Sequence, residues 1–188
     1  MTRPSVTSLL TRHSLGPRHL GDPAPGDDEI RILLDAALRG PDHGELVPWR
    51  LMLVRGAARE RLAELFVAHA RNRGKGAEGE AMERERALRA PLTIAVIARI
   101  DLGHPQVPAH EQWICVGGAI TNLLNAAHAL GYAGKMLSGD KARAPHLAQA
   151  FCKPGESLVG WIVIGTPNRP LSTASRKDTR DVLTEWGE

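Results

Sequence analysis

Cysteine is scarce in this 188-residue chain: Cys115 and Cys152 stand far apart and outside any paired motif, so neither a disulfide framework nor a cysteine zinc site is indicated. Two free thiols in a reducing cytoplasm are the expectation. Aromatic residues make up only 4% and the formal charge is +3. With the basic residues scattered, the chain lacks the basic stripe and stacking platform of a nucleic-acid binder, and no nucleic-acid partner is expected. The N-terminus opens with Arg3-Pro4 and soon turns polar, without the apolar core of a secretion signal. A cytoplasmic protein is therefore expected. A Gly-x-Ser-x-Gly elbow is missing as well, and nothing marks a serine or cysteine as an activated nucleophile.

Charge is absent from one long segment, residues 112–134, which contains no Asp, Glu, Lys or Arg. Its length would span a bilayer, but Gln112, Thr121, Asn122, Asn125 and His128 interrupt it with polar groups that lipid penalises. It reads as a central helix covered by protein, with Gly117, Gly118 and Ala119 admitting another backbone closely, and no membrane partner is expected.

What is present is an alternation of helical and buried-strand patterns. Helices are predicted over 5–12 and 28–39, a strand over 49–54, and a helix from 57 through 71. A charged, glycine-rich stretch at 73–86 runs into a further helix, and Leu92 to Ala98 forms a continuous apolar run suited to a strand covered on both faces. After the central helix come an extended piece near 135–137, a helix over 143–151, and a core strand over 158–164 stopped by Gly165-Thr166-Pro167. Helices interleaved with buried strands indicate an α/β or α+β domain with helices on both sheet faces. No linker divides residues 1–188, which form a single domain with 168–188 as a C-terminal extension.

The second helix is amphipathic, with Ile30, Leu33, Leu34, Ala37 and Leu38 on one face and Arg31, Asp35 and Arg39 on the other. Asp27 or Asp28 can cap its start. Gly40-Pro41 ends it, glycine by tolerating a left-handed conformation and proline by lacking an amide hydrogen. Arg39 then falls in the last turn and His43 one bend later. Cations are common at the negative end of a helix dipole, so this pair alone has two readings, a site or a helix end. Arg12-His13-Ser14 is similar: a guanidinium and a hydroxyl two residues apart can bind a phosphate or close a solvated helix end.

Two other patterns carry less. Gly74-Lys75-Gly76-Ala77-Glu78-Gly79 matches the dinucleotide fingerprint literally, but a helical, charged segment precedes it where a strand is required, so a flexible loop is expected. His104, His110 and Glu111 match no one-face ligand spacing and read as a surface loop leading into the central helix, with no metal.

Arg12-His13-Ser14, Arg39-Gly40-Pro41-Asp42-His43, Pro48-Trp49, Gly131-Tyr132-Ala133-Gly134 and Ser138-Gly139 together resemble the FMN-dependent nitroreductase family, most closely its small YdjA-like branch. The order and spacing carry the likeness, from Arg12 through Pro167. It implies a three-layer fold, a central mixed sheet with helices on both faces, in an intertwined homodimer whose C-terminal extension embraces the partner. It implies FMN at the dimer interface, NADH or NADPH as donor, and a nitroaromatic or quinone-like acceptor reduced by a ping-pong hydride mechanism, the flavin N5 carrying the chemistry. Arg12, His13, Ser14, Arg39, His43, Lys135, Met136, Leu137 and Ser138 are the implied flavin contacts, and residues 126–131 align with a nicotinamide-binding stretch.

The chain departs from the family at His13 in place of a second Arg, at Val47 in place of Gln, and at Met136 and Leu137 in place of Trp and Arg. If the backbone is extended there, Lys135 and Leu137 project to one side, and Lys135 can restore the lost charge. These departures leave a rival reading, a flavin-binding or flavin-free dimer that has lost turnover and serves as a binding or sensing protein.

Overall fold

The computed structural model describes residues 4–170 and 182–187. In chain order the described residues form α1 (Pro4–Thr11), β1 (Leu20–Gly21), α2 (Asp27–Ala37), β2 (Trp49–Val54), α3 (Ala58–Asn72), α4 (Gly76–Leu88), β3 (Leu92–Ala98), α5 (Ala109–Ala129), β4 (Ala133–Leu137), α6 (Pro145–Phe151) and β5 (Ser157–Pro167). Short 3-10 turns occupy Pro17–His19, His43–Glu45 and Lys141–Arg143.

All seven residues of β3 are buried, as its unbroken apolar run requires. It pairs antiparallel with β2, Trp49 opposite Ala98, and with β5, Leu92 opposite Ile164. On its other side β5 pairs antiparallel with β4, Leu137 opposite Trp161, while Thr166 and Pro167 at its end pair with β1. The parallel contact that makes the sheet mixed is the bridge between Ser14 and Gly134.

Period-two alternation sends Leu92, Ile94, Val96 and Ala98 to one side, against Ile30, Leu33 and Ala37 of α2 and Val116, Ala119 and Leu123 of α5. Ala95 and Ile97 face the other way, against Leu62 and Phe66 of α3 and Leu147 of α6. This is the three-layer arrangement the family resemblance implied. None of the helices among the described residues is long and apolar enough to cross a membrane. The apolar charge-free segment is accounted for by α5, which packs on the sheet through its buried stripe.

Three expectations change in detail. The glycine-rich stretch is mostly helix, because α4 begins at Gly76 and contains Gly79; only the Gly74-Lys75 turn, with Gly74 at φ 67°, joins it to α3. Ion pairs across the hairpin, Arg71 with Glu80 at 2.8 Å and Arg84 with Glu60, hold the two helices together. Gly165-Thr166-Pro167 does not end the last strand but extends it, where it gains pairing from both β4 and β1. Gly40 is not in the left-handed region. Glycine is needed there for space instead: a Cβ would lie 3.2 Å from the Ala119 amide and 3.3 Å from Gly118, so α2 and α5 meet backbone to backbone.

An ion pair locks β2 to the α6–β5 connection. The Arg50 guanidinium donates from Nε to Glu156 Oε1 at 2.8 Å and from a terminal nitrogen to Oε2 at 2.6 Å, and it also reaches the Phe151 carbonyl. This fork, helped by the Lys153 amide and opposed by burial, holds the Glu156 carboxyl at about 2 against an ordinary 4.5. A carboxyl depressed in the folded state stabilises above its unfolded pKa and loses that contribution as pH falls through the folded one. Thermal melts should therefore show stability falling between pH 4.5 and about 2. Glu156→Gln should cost about 1.5–3 kcal/mol at neutral pH, the usual cost of a charged hydrogen bond, and should flatten that acid limb.

Candidate functional site

The first cluster is built on β4. Ser14 bridges Gly134, and the Leu15 amide donates to the Gly134 carbonyl at 3.2 Å, so Arg12-His13-Ser14 lies along the free edge of the strand that carries Lys135, Met136 and Leu137. A side chain at Gly134 would press on the Val163 carbonyl at 2.7 Å and on Leu124 at 3.1 Å, which is why glycine stands there. The strand is extended, and Lys135 is exposed on the same side as Ala133 and Leu137, which pack with Leu15 and Val163. Met136 faces the other way, partly buried against the α2–α5 layer.

Arg12 is half-buried at the end of α1 and Ser14 is exposed. Among the described residues, neither Arg12 nor Lys135 has a carboxylate partner. Both remain available to an anion. Nearby, Thr11 Oγ1 lies 3.2 Å from His128 Nε2; burial, then the Arg12 charge, push the His128 imidazole below its ordinary pKa. His19 is likewise lowered, by burial and then by the charges of Arg169 and Arg18, with the Asn168 hydrogen bond opposing. Arg169, just beyond β5, thus joins the basic side of this region, which sequence reasoning missed.

The structure adds a cavity of about 270 Å³ on the α3–α4 side of the sheet, bordered by Leu137 and Ser138. Leu62, Phe66 and Trp161 give it an apolar, aromatic wall, with Phe66 and Trp161 edge to face at 5.3 Å. Trp161 Nε1 is buried without a hydrogen-bond acceptor. Arg86, Arg89 and Lys141 supply cations around it, and Asp140, bonded to His69, one carboxylate. None of the three was singled out from sequence, since Arg86 and Arg89 sit in a charged helical run and only the packing of α4 against the sheet aims them here.

The second cluster lies on the opposite face, in the α2–α5 layer. An open cleft of about 590 Å³ is lined by Arg39, Gly40, Asp42, Val47, Trp49 and Cys115, among others. Its loop is strained: Gly44 at φ 75° is at ease, but Glu45 at 52° and Val47 at 44° are not. Asp42 compensates by accepting the Leu46 amide at 3.2 Å and the Val47 amide at 2.8 Å, and Arg99 donates to the Val47 and Trp49 carbonyls at 2.7 and 2.9 Å. His43 Nδ1 donates to Glu111 Oε2 at 2.6 Å. Glu111 thus orients His43 from the first turn of α5, a role that needs tertiary proximity to be seen. Burial, reinforced by Asp42, raises the Cys115 thiol pKa, so Cys115 is a packing residue here.

The two clusters do not meet within one chain. Arg39 and Gly40 pack beside Cys115 while Thr11 touches His128, and 13 residues of α5 separate those anchors by about 20 Å at 1.5 Å per residue. No metal-binding group of three or more His, Cys, Asp or Glu residues occurs among the described residues. His104 Nδ1 instead accepts the Val107 amide at 2.9 Å to shape a turn, and His110 and Glu111 lie within α5 itself.

The three-layer domain has a nitroreductase-like fold. The chain belongs to the nitroreductase family, a family of oxidoreductases whose profile matches residues 9–166. It is 32% identical over 167 residues, 88% of this chain and 90% of the relative, to YdjA of Escherichia coli strain K12, named as a candidate NAD(P)H nitroreductase. Among solved structures it is similar to a nitroreductase-like family protein from Bacillus cereus, with a TM-score of 0.83 and 21% identity, covering 100% of this chain and 98% of that one. A candidate nitroreductase from Desulfovibrio desulfuricans, solved in complex with FMN, superposes with a TM-score of 0.72 at 24% identity over 98% of both chains.

Asp42→Ala removes both side-chain acceptors of the strained loop. It should lower stability by about 1–3 kcal/mol, the cost of leaving partly buried amides unpaired, and hydrogen exchange should speed at the Leu46 and Val47 amides while β3 stays protected.

Proposed function

We propose that the protein is an FMN-dependent NAD(P)H oxidoreductase that reduces nitroaromatic or quinone-like acceptors by a ping-pong hydride mechanism as a homodimer. The observation that carries this reading is the cavity at the end of β4, apolar and aromatic within and bordered by three cations and the Asp140 carboxylate, beside Arg12 and Lys135, which have no carboxylate partner among the described residues. That donor set fits a planar ring system with a phosphate tail. Hydride transfer from a nicotinamide donor to an acceptor is the chemistry a bound flavin supplies.

The chain's own residues do the holding. Arg12, Ser14 and Lys135 would bind the phosphate, with His13 adding charge only when protonated. Leu137 and Ser138 would line the ring, and Arg39 and His43 would contact the flavin system. Because those two lie across the sheet from the cavity, they would reach it from the partner subunit. Glu111 fixes the His43 ring through Nδ1 and so leaves Nε2 as its free nitrogen.

The surface supports pairing of two copies. Leu9 and Leu10 of α1 and Trp113 and Ile114 of α5 are exposed apolar residues. Val182, Leu183 and Trp186 of the C-terminal extension are exposed as well, as a segment that wraps a partner would be in a single copy; residues 171–181 of that extension lie outside the described residues. Cys115 and Cys152 are free thiols, which suits a cytoplasmic location.

The rival reading, a flavin binder without turnover, draws on Leu137 standing where the family has a cation. Arg86 and Lys141 at the cavity offset that loss, so turnover is the favoured outcome. Protein supplemented with FMN and desalted should keep its flavin bands and bleach anaerobically on adding NADPH or NADH. Retained bands that never bleach or turn over with either donor would instead establish the rival. Light scattering should return twice the 20.3 kDa chain mass.

Shared sites can be tested by complementation. Arg39→Ala/His43→Ala and Arg12→Ala/Ser14→Ala homodimers should each bind FMN poorly, yet a mixed dimer should regain one intact site; no recovery on mixing would place both halves in one chain. Lys135→Ala should weaken FMN binding only about two- to fivefold, as befits an exposed charge.

A further inference from the structure

Glu83 of α4 is 1% exposed, although it carries a charge. Its Oε1 accepts from Lys75 at 2.9 Å and from Arg86 at 2.8 Å, and its Oε2 accepts from Lys141 at 2.6 Å. Two of these three cations, Arg86 and Lys141, border the cavity at the end of β4. Lys141 is held twice more: its backbone amide donates to Asp140, and its ammonium stands 4.8 Å over the Phe66 ring that walls the cavity. Burial pushes the Glu83 acid up, but the hydrogen bonds from Lys141 and Lys75 outweigh it and hold it at about 2, so the carboxylate is ionised at neutral pH.

Long cationic side chains left alone extend their heads into water. Here a single buried anion gathers three of them, and the two that border the cavity, Arg86 and Lys141, share its rim with Arg89 and with one carboxylate, Asp140. Stability alone does not ask for this arrangement, since a buried ion pair is often no better than packed apolar residues.

Resting on the flavin reading of the cavity, we propose that Glu83 is a positioning residue for the redox reaction, clamping Arg86 and Lys141 against the cavity so that positive charge faces the ring and favours its electron-rich reduced form. Charge near the flavin is one of the ways a protein tunes its electronics. The direction of the effect separates clamp from simple charge. If Glu83 merely adds negative charge, removing it makes the cavity more positive and raises the flavin potential. If Glu83 clamps, removing it frees the cations into water and lowers the potential.

The test measures FMN affinity by fluorescence and the flavin midpoint potential by equilibration with a reference dye, for wild type, Glu83→Gln and Lys141→Gln. Both variants should lower the potential by about 30 mV, the equivalent of a tenfold loss of reduced over oxidised FMN binding in a two-electron couple. Glu83→Gln at or above the wild-type potential, or Lys141→Gln unchanged, would overturn the clamp while leaving the flavin reading intact. Should Glu83→Gln not fold, Glu83→Asp decides the matter by the same readout, since it keeps the charge but shortens the reach: a lowered potential upholds the clamp and an unchanged one overturns it. Wild-type protein that binds no FMN would refute the flavin reading itself, and the redox role of Glu83 with it.

Discussion

Strand β3 is buried on both faces, and the rest of the molecule is arranged around that double burial. A strand with no polar face must be covered twice, so α2 and α5 close one side while α3, α4 and α6 close the other. The same covering divides the candidate site. The Arg39 cleft belongs to the first layer and the Leu137 cavity to the second, with the sheet between them. Arg39 and Leu137 accordingly line different cavities of the chain.

Glycine contacts set the fine geometry of both halves. Gly40 against Gly118 lets α2 and α5 touch and fixes where the Arg39 loop leaves the helix. Gly160, at φ 147° beside the register shift in β5, lies under Leu137, where a side chain would run into the Leu137 carbonyl. Gly134 does the same for the strand edge that holds Ser14. At each of these positions even one methyl group would displace a residue of the candidate site, because the neighbouring atoms are backbone and cannot turn aside.

Charge is managed by fixed pairs. Asp42 and Arg99 hold a loop whose torsions are unfavourable for Glu45 and Val47, and Glu111 holds His43. Glu83 collects Lys75, Arg86 and Lys141. Arg12, Arg39 and Lys135, by contrast, have no carboxylate partner among the described residues. The division is between cations paired with carboxylates inside the protein and cations whose charge faces solvent.

The sequence determined the elements and their layers. Apolar periodicity marked α2 and β3, the bounds of β2 fell where expected, and the extended piece at Lys135 proved to be a strand with Lys135 and Leu137 on one side. It also yielded Arg12, Ser14, Arg39 and His43 as candidates, because motif order survives even where single motifs are weak. The roles of Glu111 and Lys141 were beyond its reach. Their roles depend on partners 68 residues away for Glu111 and 58 for Lys141, and nothing local distinguishes a clamping carboxylate from a solvated one. Met136 shows the same limit: the two-residue period of the strand sets its side chain against the α2–α5 layer while Leu137 borders the cavity on the other side. Local patterns record which face a residue prefers, whereas the identity of what it meets there is decided only when distant elements pack.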